Sequence, residues 1–248
     1  MRSLLSRLMH RDNRGLVLTS LLAGVVIIGG LLVTAIVSSP PAGDAPGGTS
    51  GQRVTAPPAD YGSAPSYTLT DQAGERISSR HFAGKVQVVS FLFPYCTTDC
   101  PMLARNLALM QQRLAGQGLG GRVEIVTFNV DPSGAGPAQL RQFITQYGGQ
   151  ADPAPGGVHW HFLTGSAAQV REVVRDGYHI AYWKAPGAEE GGTTRPNRLA
   201  ARADVGYDVR HTDATYLVGR QGKIVDLRQG PSSADAPALL SAVHRLLG

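Results

Sequence analysis

The chain has 248 residues, of which 42% are hydrophobic and 17% are charged, a balance typical of a globular protein with one good-sized domain. Its formal net charge is +5, and from residue 64 onwards the excess is only three positive charges. Nucleic-acid-binding surfaces require a concentrated basic face, so this small excess argues against that class of function.

The N-terminal sequence predicts a membrane anchor. Residues 1–14 contain four arginines and one aspartate, whereas residues 15–37 contain no charged side chain. A helix of that length, at about 1.5 Å per residue, exceeds a hydrocarbon core of about 30 Å. The apolar stretch is also longer than the roughly 7 to 15 residues of a cleaved signal peptide. Because basic residues favour the cytoplasmic side, we predict a single-pass protein of the cell membrane whose remaining chain lies in the periplasm or outside the cell.

A folded domain is predicted over residues 64–248. It follows residues 38–63, a segment of Pro, Gly, Ser and Ala that is typical of a flexible linker. Two runs, 86–93 and 123–130, are nearly continuous apolar sequence rich in β-branched residues, which indicates buried strands of a partly parallel sheet. Each run is followed by an apolar stripe at helical spacing: Leu103, Leu107, Met110 and Leu114 in the first, and Leu140, Phe143, Ile144 and Tyr147 in the second.

The second half of the domain continues this alternation. Residues 159–163 predict a short strand, and the capping-box pattern at 166–169 predicts the start of a third helix. The runs 215–218 and 223–227 flank a Gly-rich turn and predict a hairpin before a closing helix. We therefore predict an α/β fold with a mixed central sheet flanked by helices. A Gly- and Arg-rich loop at 184–210 interrupts the pattern, and loops of this length are usually functional or mobile.

The two cysteines of the chain, Cys96 and Cys100, lie with three residues between them where the first buried strand runs into its helix. In a turn that begins a helix, this spacing places two sulfur atoms over one face, where they can share a soft metal ion or form a disulfide. An exported domain meets oxidising conditions, so the disulfide is a real alternative. The spacing alone leaves both outcomes open. With a dithiol at this turn, the order of elements resembles the thioredoxin fold.

Two thiolates do not complete a zinc site or a cluster, so a metal would need a further ligand. His211, which lies just before a predicted strand, is the best candidate, although an exposed or hydrogen-bonded histidine is the commoner case. His159 and His161 would point the same way from a strand and could also hold a metal. Asp131 follows a buried strand at the sheet edge where α/β proteins place their sites, or it is simply a turn residue. Four histidines have no partner at a suggestive spacing: His10, His81, His179 and His244.

Four segments in order resemble the Sco/SenC family, and the resemblance covers nearly all of the domain from residue 66 to the C-terminus. The cysteine motif and the distant His-x-x-x-x-Tyr-Leu motif are its most specific parts. The matching residues are Gly84-Lys85-Val86 through Cys96-x-x-x-Cys100-Pro101, then Val126 to Pro132, then Trp160 to Gly165, then His211-Thr212-x-x-x-Tyr216-Leu217.

This resemblance implies a membrane-anchored, thioredoxin-like protein that binds one copper ion, as Cu(I) and also as Cu(II), through Cys96, Cys100 and His211. It further implies a role in assembling the binuclear copper centre of cytochrome c oxidase, with the copper-centre subunit as partner and with a copper donor and a thiol reductant as further partners. Such a protein is a metallochaperone more than an enzyme with turnover.

Three other classes of protein compete with this interpretation. A peroxiredoxin is excluded because its Pro-x-x-x-Thr-x-x-Cys arrangement is absent before Cys96. A membrane-anchored thiol-disulfide oxidoreductase acting on a partner's cysteines is the closest alternative, since a helix N-terminus favours a thiolate, although such enzymes usually have two residues between the cysteines. A purely structural disulfide is disfavoured because so small a loop removes little entropy from the unfolded chain.

Overall fold

The structure is a computed structural model that describes residues 61–186 and 207–248. The predicted anchor at 15–37, nearly all of the linker and most of the 184–210 loop lie outside these ranges. Within the two ranges, no helix is both long enough and apolar enough to cross a membrane.

The described residues form nine strands and four α-helices. The strands are β1 (Thr68–Thr70), β2 (Arg76–Ser78), β3 (Val86–Leu92), β4 (Val123–Asn129), β5 (Trp160–Leu163), β6 (Tyr182–Pro186), β7 (Tyr207–His211), β8 (Ala214–Val218) and β9 (Ile224–Gln229). The helices are α1 (Cys100–Gly116), α2 (Pro137–Gln146), α3 (Ala167–Arg171) and α4 (Ala236–Leu247). A 3₁₀ turn, Ser79–Phe82, precedes β3, and α3 continues into a π-helical turn, Glu172–Gly177.

The central sheet has five strands in the order β5-β4-β3-β8-β9. β3 pairs parallel with β4, and β4 pairs parallel with β5. On the other side of β3, β8 pairs antiparallel with β3, and β9 pairs antiparallel with β8. Every residue of β3 and β4 is buried, which explains why these two runs lack the alternation of a half-exposed strand. The predicted mixed sheet is therefore confirmed.

The helices cover the sheet through the apolar stripes that the sequence predicted. The stripe of α1 is fully or almost fully buried, and α1 packs against α4. At the start of α1, Pro101 occupies a position that requires no backbone donor, so the helix can begin directly at Cys100. The fold thus fixes Cys100 at the junction of a buried strand and a buried helix.

The sequence predicted a loop over 184–210, but both ends of this segment belong to strands, β6 and β7. β6 and β7 pair antiparallel, with Tyr182 opposite His211 and Lys184 opposite Val209. Their pairing is local and their side chains are mostly exposed or half-buried, so neither strand carries the apolar run that revealed β3 and β4. This strand pair, called here the β6–β7 ribbon, ends at His211.

A buried carboxylate connects the β6–β7 ribbon to the central sheet. Asp131, fully buried just after β4, accepts a hydrogen bond of 2.5 Å from the Tyr207 hydroxyl and lies 2.9 Å from the Lys184 ammonium. The Lys184 Nζ also lies 4.1 Å from the centre of the Tyr207 ring. Both strands of the ribbon therefore contact one side chain, which gives Asp131 a structural role at the sheet edge.

We expect Asp131→Ala to lower the free energy of unfolding by about 2 kcal/mol, because it removes a buried, charged acceptor. It should also speed amide hydrogen exchange in β6 and β7 while exchange in β3 and β4 stays slow. Asp152→Ala is the matched control, since Asp152 forms an exposed ion pair with Arg141 and should change stability by less than about 0.5 kcal/mol. Equal effects of the two substitutions would show that Asp131 does not hold the ribbon.

Candidate metal centre

The two cysteines lie in the turn between β3 and α1. The backbone N–H of Cys96 donates to the carbonyl of Phe93 at 3.3 Å, which closes the turn directly after β3. Cys100 is the first residue of α1. The two cysteines are not joined in a disulfide, and both are buried, Cys96 at 3% exposure and Cys100 at 0%.

His211 completes the group from a distant part of the chain. Its Nε2 lies 3.6 Å from the Cys100 Sγ, although 111 positions separate the two residues. Its Nδ1 lies 3.3 Å from the carbonyl oxygen of Thr212, and only a protonated Nδ1 can donate there. That tautomer leaves the lone pair of Nε2 directed towards the sulfur, which is the form in which imidazole ligates a metal.

Burial and an aromatic neighbour hold the His211 ring in place. The side chain is only 4% exposed, and the ring of Phe93 packs edge-on at a centroid distance of 6.1 Å. Phe93 belongs to the same turn as Cys96, so the β6–β7 ribbon and the cysteine turn pack against each other here. The three residues predicted as metal ligands are therefore brought together.

The two thiols have opposite acidities. They hydrogen-bond to each other, and this bond lowers the pKa of Cys96 below its usual value, helped by Thr98, whose Oγ1 lies 3.5 Å from the Cys96 Sγ. Burial raises the pKa of Cys100 well above its usual value. One sulfur is thus poised to carry a negative charge while the other keeps its proton until a cation compensates the second charge.

Two carboxylates make the surroundings of the group favourable for a cation. Asp213 Oδ1 lies 3.8 Å from His211 Nδ1, and burial raises the pKa of Asp213, an effect that His211 opposes and Asp99 reinforces. Asp99 immediately precedes Cys100. Negative charge on either residue would be relieved by a positive ion at the sulfur atoms.

Asp131 lies near this group without belonging to its donor set. Its carboxylate oxygens face Tyr207 and Lys184, as described above. Burial and the hydrogen bond to Asp131 together raise the pKa of Tyr207, which keeps that hydroxyl protonated as a donor. Asp131 therefore contacts the same ribbon that carries His211, and its partner Tyr207 lies at the opposite end of β7.

The remaining histidines lie elsewhere. The rings of His159 and His161 lie on the same side, as predicted, and stack at 5.7 Å, but His161 belongs to β5 and His159 immediately precedes it, two strands away from β3. His161 is close to two residues that the sequence did not connect with it, His81 and Glu124. Glu124 is the only charged residue of the buried strand β4, and this was the signal available in the sequence, since a buried charge requires a partner. His244 hydrogen-bonds to Gln117, His179 is exposed, and His10 lies outside the described residues.

Comparison with known proteins gives consistent results. The SCO1/SenC family model matches residues 56–248. A SCO1 protein homolog of Bacillus subtilis (strain 168) is 26% identical over 178 residues, covering 71% of this chain and 79% of that protein.

Two solved structures share the fold. BsSco, described as a member of the Sco family of cytochrome c oxidase assembly proteins with a disulfide switch, superposes with a TM-score of 0.55 at 25% identity, covering 76% of this chain and 95% of that one. Bradyrhizobium japonicum ScoI with copper bound gives a TM-score of 0.54 at 21% identity, with 75% and 99% covered. Since the family match extends over the whole described domain, the chain belongs to the SCO1/SenC family, with a thioredoxin-like fold.

Proposed function

We propose that the chain carries one copper ion on Cys96, Cys100 and His211 and delivers it during assembly of the binuclear copper centre of cytochrome c oxidase. The observation that carries the proposal is the distance of 3.6 Å between Cys100 Sγ and His211 Nε2. Together with the buried Cys96, these residues offer two sulfur donors and one nitrogen donor in one group. Among its relatives, ScoI binds copper and BsSco belongs to a family of oxidase assembly proteins.

The donor set favours copper over zinc. Structural zinc sites have four protein ligands, whereas two thiolates and one imidazole suit the low coordination number and soft character of Cu(I). His211 and its carboxylate neighbours would also support Cu(II), which accepts nitrogen and oxygen ligands. Cys100 would have to release its proton on metal binding, because only a thiolate is a strong ligand.

The position of the ligands on two separate elements suits transfer of a cargo ion. Cys96 and Cys100 lie on the turn after β3, and His211 lies at the end of the β6–β7 ribbon. A movement of the ribbon would withdraw one ligand and leave a two-sulfur site for exchange with a partner. The chain would then act as a metallochaperone whose partners are the copper-centre subunit, a copper donor and a thiol reductant.

The thiol-disulfide oxidoreductase remains the second candidate because the pKa of Cys96 is lowered by its hydrogen bond with Cys100. A thiolate beside a second thiol is the arrangement that such enzymes use. Against it, Cys96 is 3% exposed, so a partner's disulfide could reach its sulfur only after a movement of the surrounding turn.

We also propose that residues 15–37 anchor the domain with its N-terminus in the cytoplasm, because the arginines precede the uncharged stretch. Alkaline phosphatase, which is active only outside the cytoplasm, should be active when fused after Gly248. A full-length fusion without phosphatase activity would show that the domain lies in the cytoplasm, which is the opposite orientation.

Removal of each ligand should affect Cu(I) affinity to a different degree. Cys96→Ala or Cys100→Ala should abolish tight binding, because one sulfur and one nitrogen remain. His211→Ala should weaken binding at least about tenfold and leave a two-sulfur site. Competition of the full chain with a chromophoric Cu(I) chelator measures these affinities. His244→Ala, which removes an exposed histidine on α4, is the control and should match the parent. Parental affinity in His211→Ala would refute the three-ligand assignment.

Copper binding and disulfide formation should compete for the same sulfur atoms. A metal that binds only the dithiol stabilises it by roughly 2.7 kcal/mol at a hundredfold excess over the dissociation constant. The apparent reduction potential should therefore rise by roughly 60 mV, since about 30 mV corresponds to 1.4 kcal/mol for a two-electron couple. Thiol trapping across a redox-buffer series measures the shift, which should be smaller in His211→Ala. An unchanged midpoint in the parent chain would favour the oxidoreductase.

A further inference from the structure

A second group of metal-binding side chains lies in the domain, on elements that the copper site does not use. His81 comes from the 3₁₀ turn before β3, Glu124 from β4 and His161 from β5. One ligand atom from each of the three residues lies within 4.8 Å of the other two.

Several polar atoms of this group are buried without a hydrogen-bond partner. They are both ring nitrogens of His161 and the Oε2 of Glu124, and the two side chains are 8% and 1% exposed. Buried polar atoms in proteins are nearly always paired, so unpaired ones that face each other indicate a missing partner. The Nε2 of His161 lies 3.8 Å from that Oε2, which is too far for a hydrogen bond. This distance of 3.8 Å is close to the roughly 3.4 Å expected between two ligand atoms of a tetrahedral metal ion whose bonds are about 2.0–2.1 Å long.

A carboxylate behind His161 favours the tautomer that a metal requires. Asp71 Oδ2 lies 3.5 Å from Nδ1 of His161, and its other oxygen accepts the backbone N–H groups of Ala73 and Glu75 at 2.9 and 3.0 Å. The carboxylate is therefore fixed, and its charge favours the proton on Nδ1. The lone pair of Nε2 then faces Glu124. Ligating histidines in metalloproteins are commonly oriented by a carboxylate in this way.

The charged residues around the group favour the binding of a cation. The Lys85 ammonium lies 2.6 Å from Oε1 of Glu124 and compensates one of the two carboxylates, Asp71 and Glu124. The two carboxylates near His161 thus share one lysine, which leaves negative charge that a cation could compensate.

We propose that His81, Glu124 and His161 form a second metal site, which binds one divalent transition-metal ion of the Zn²⁺ type, with Asp71 as the residue that positions His161. Two imidazoles and a carboxylate are a donor set that suits Zn²⁺ and lacks the thiolates that select Cu(I). His81 is exposed, so the ion can enter from solvent on its side, where water would complete the coordination. The bound ion would connect the 3₁₀ turn to β4 and β5.

The test uses the full chain with Cys96→Ser and Cys100→Ser, which removes the sulfur ligands of the copper site. Equilibrium dialysis against Zn²⁺ should give one ion per chain. His81→Ala should weaken binding at least about tenfold, and Asp71→Asn, which keeps an oxygen for Ala73 and Glu75, should weaken it about 10- to 100-fold. His244→Ala is the control for adventitious binding to a surface histidine and should leave the affinity unchanged.

A thermal measurement keeps the test independent of folding defects. Without metal, His81→Ala should have the Tm of the cysteine-free parent, because His81 is exposed. With Zn²⁺ at a hundredfold excess over its Kd, the Tm of the parent should rise by about 5–10 °C, and at the same concentration that of His81→Ala should rise far less. Absence of bound Zn²⁺ in the cysteine-free chain, or equal affinity in the His81→Ala variant, would overturn the proposal.

Discussion

The contact between His211 and Cys100 is the constraint on which the arrangement of this domain depends. A distance of 3.6 Å between two residues 111 positions apart requires the β6–β7 ribbon to reach the turn between β3 and α1. Asp131 holds the two strands of that ribbon at the end of β4, and Phe93 supports the imidazole ring from the cysteine turn. The donor atoms thus meet at the edge of the central sheet. One of them, His211 Nε2, lies on the β6–β7 ribbon, whose side chains are mostly exposed or half-buried.

Burial gives the two sulfur atoms their chemical character. A fully buried Cys100 resists ionisation, whereas its hydrogen bond with Cys96 makes that neighbour more acidic. The pair therefore accommodates one negative charge easily and a second one only with a compensating cation. The same burial limits access for a partner's disulfide, which is why a metal cargo fits the site better than thiol exchange with a large substrate.

Much of this arrangement could be predicted from the sequence, because the signals were local or carried by family motifs. The apolar runs predicted β3 and β4, the stripe ending at Leu114 predicted α1, and the Sco/SenC resemblance pointed to His211 as the third donor. The role of Asp131 could not be predicted, since its partners Lys184 and Tyr207 lie on strands without an apolar pattern. The proximity of His81 to His161 was also hidden, because it arises from the 3₁₀ turn approaching β5 across the sheet and not from any spacing along the chain.

X-ray absorption at the copper edge of the full chain loaded with one equivalent of Cu(I) tests the central claim most directly. The proposed ligand set predicts two sulfur neighbours and one nitrogen neighbour around the copper, with the nitrogen signal lost in His211→Ala. A copper ion surrounded only by nitrogen and oxygen atoms, or one whose spectrum is the same in that variant, would contradict the assignment of Cys96, Cys100 and His211 as the copper site.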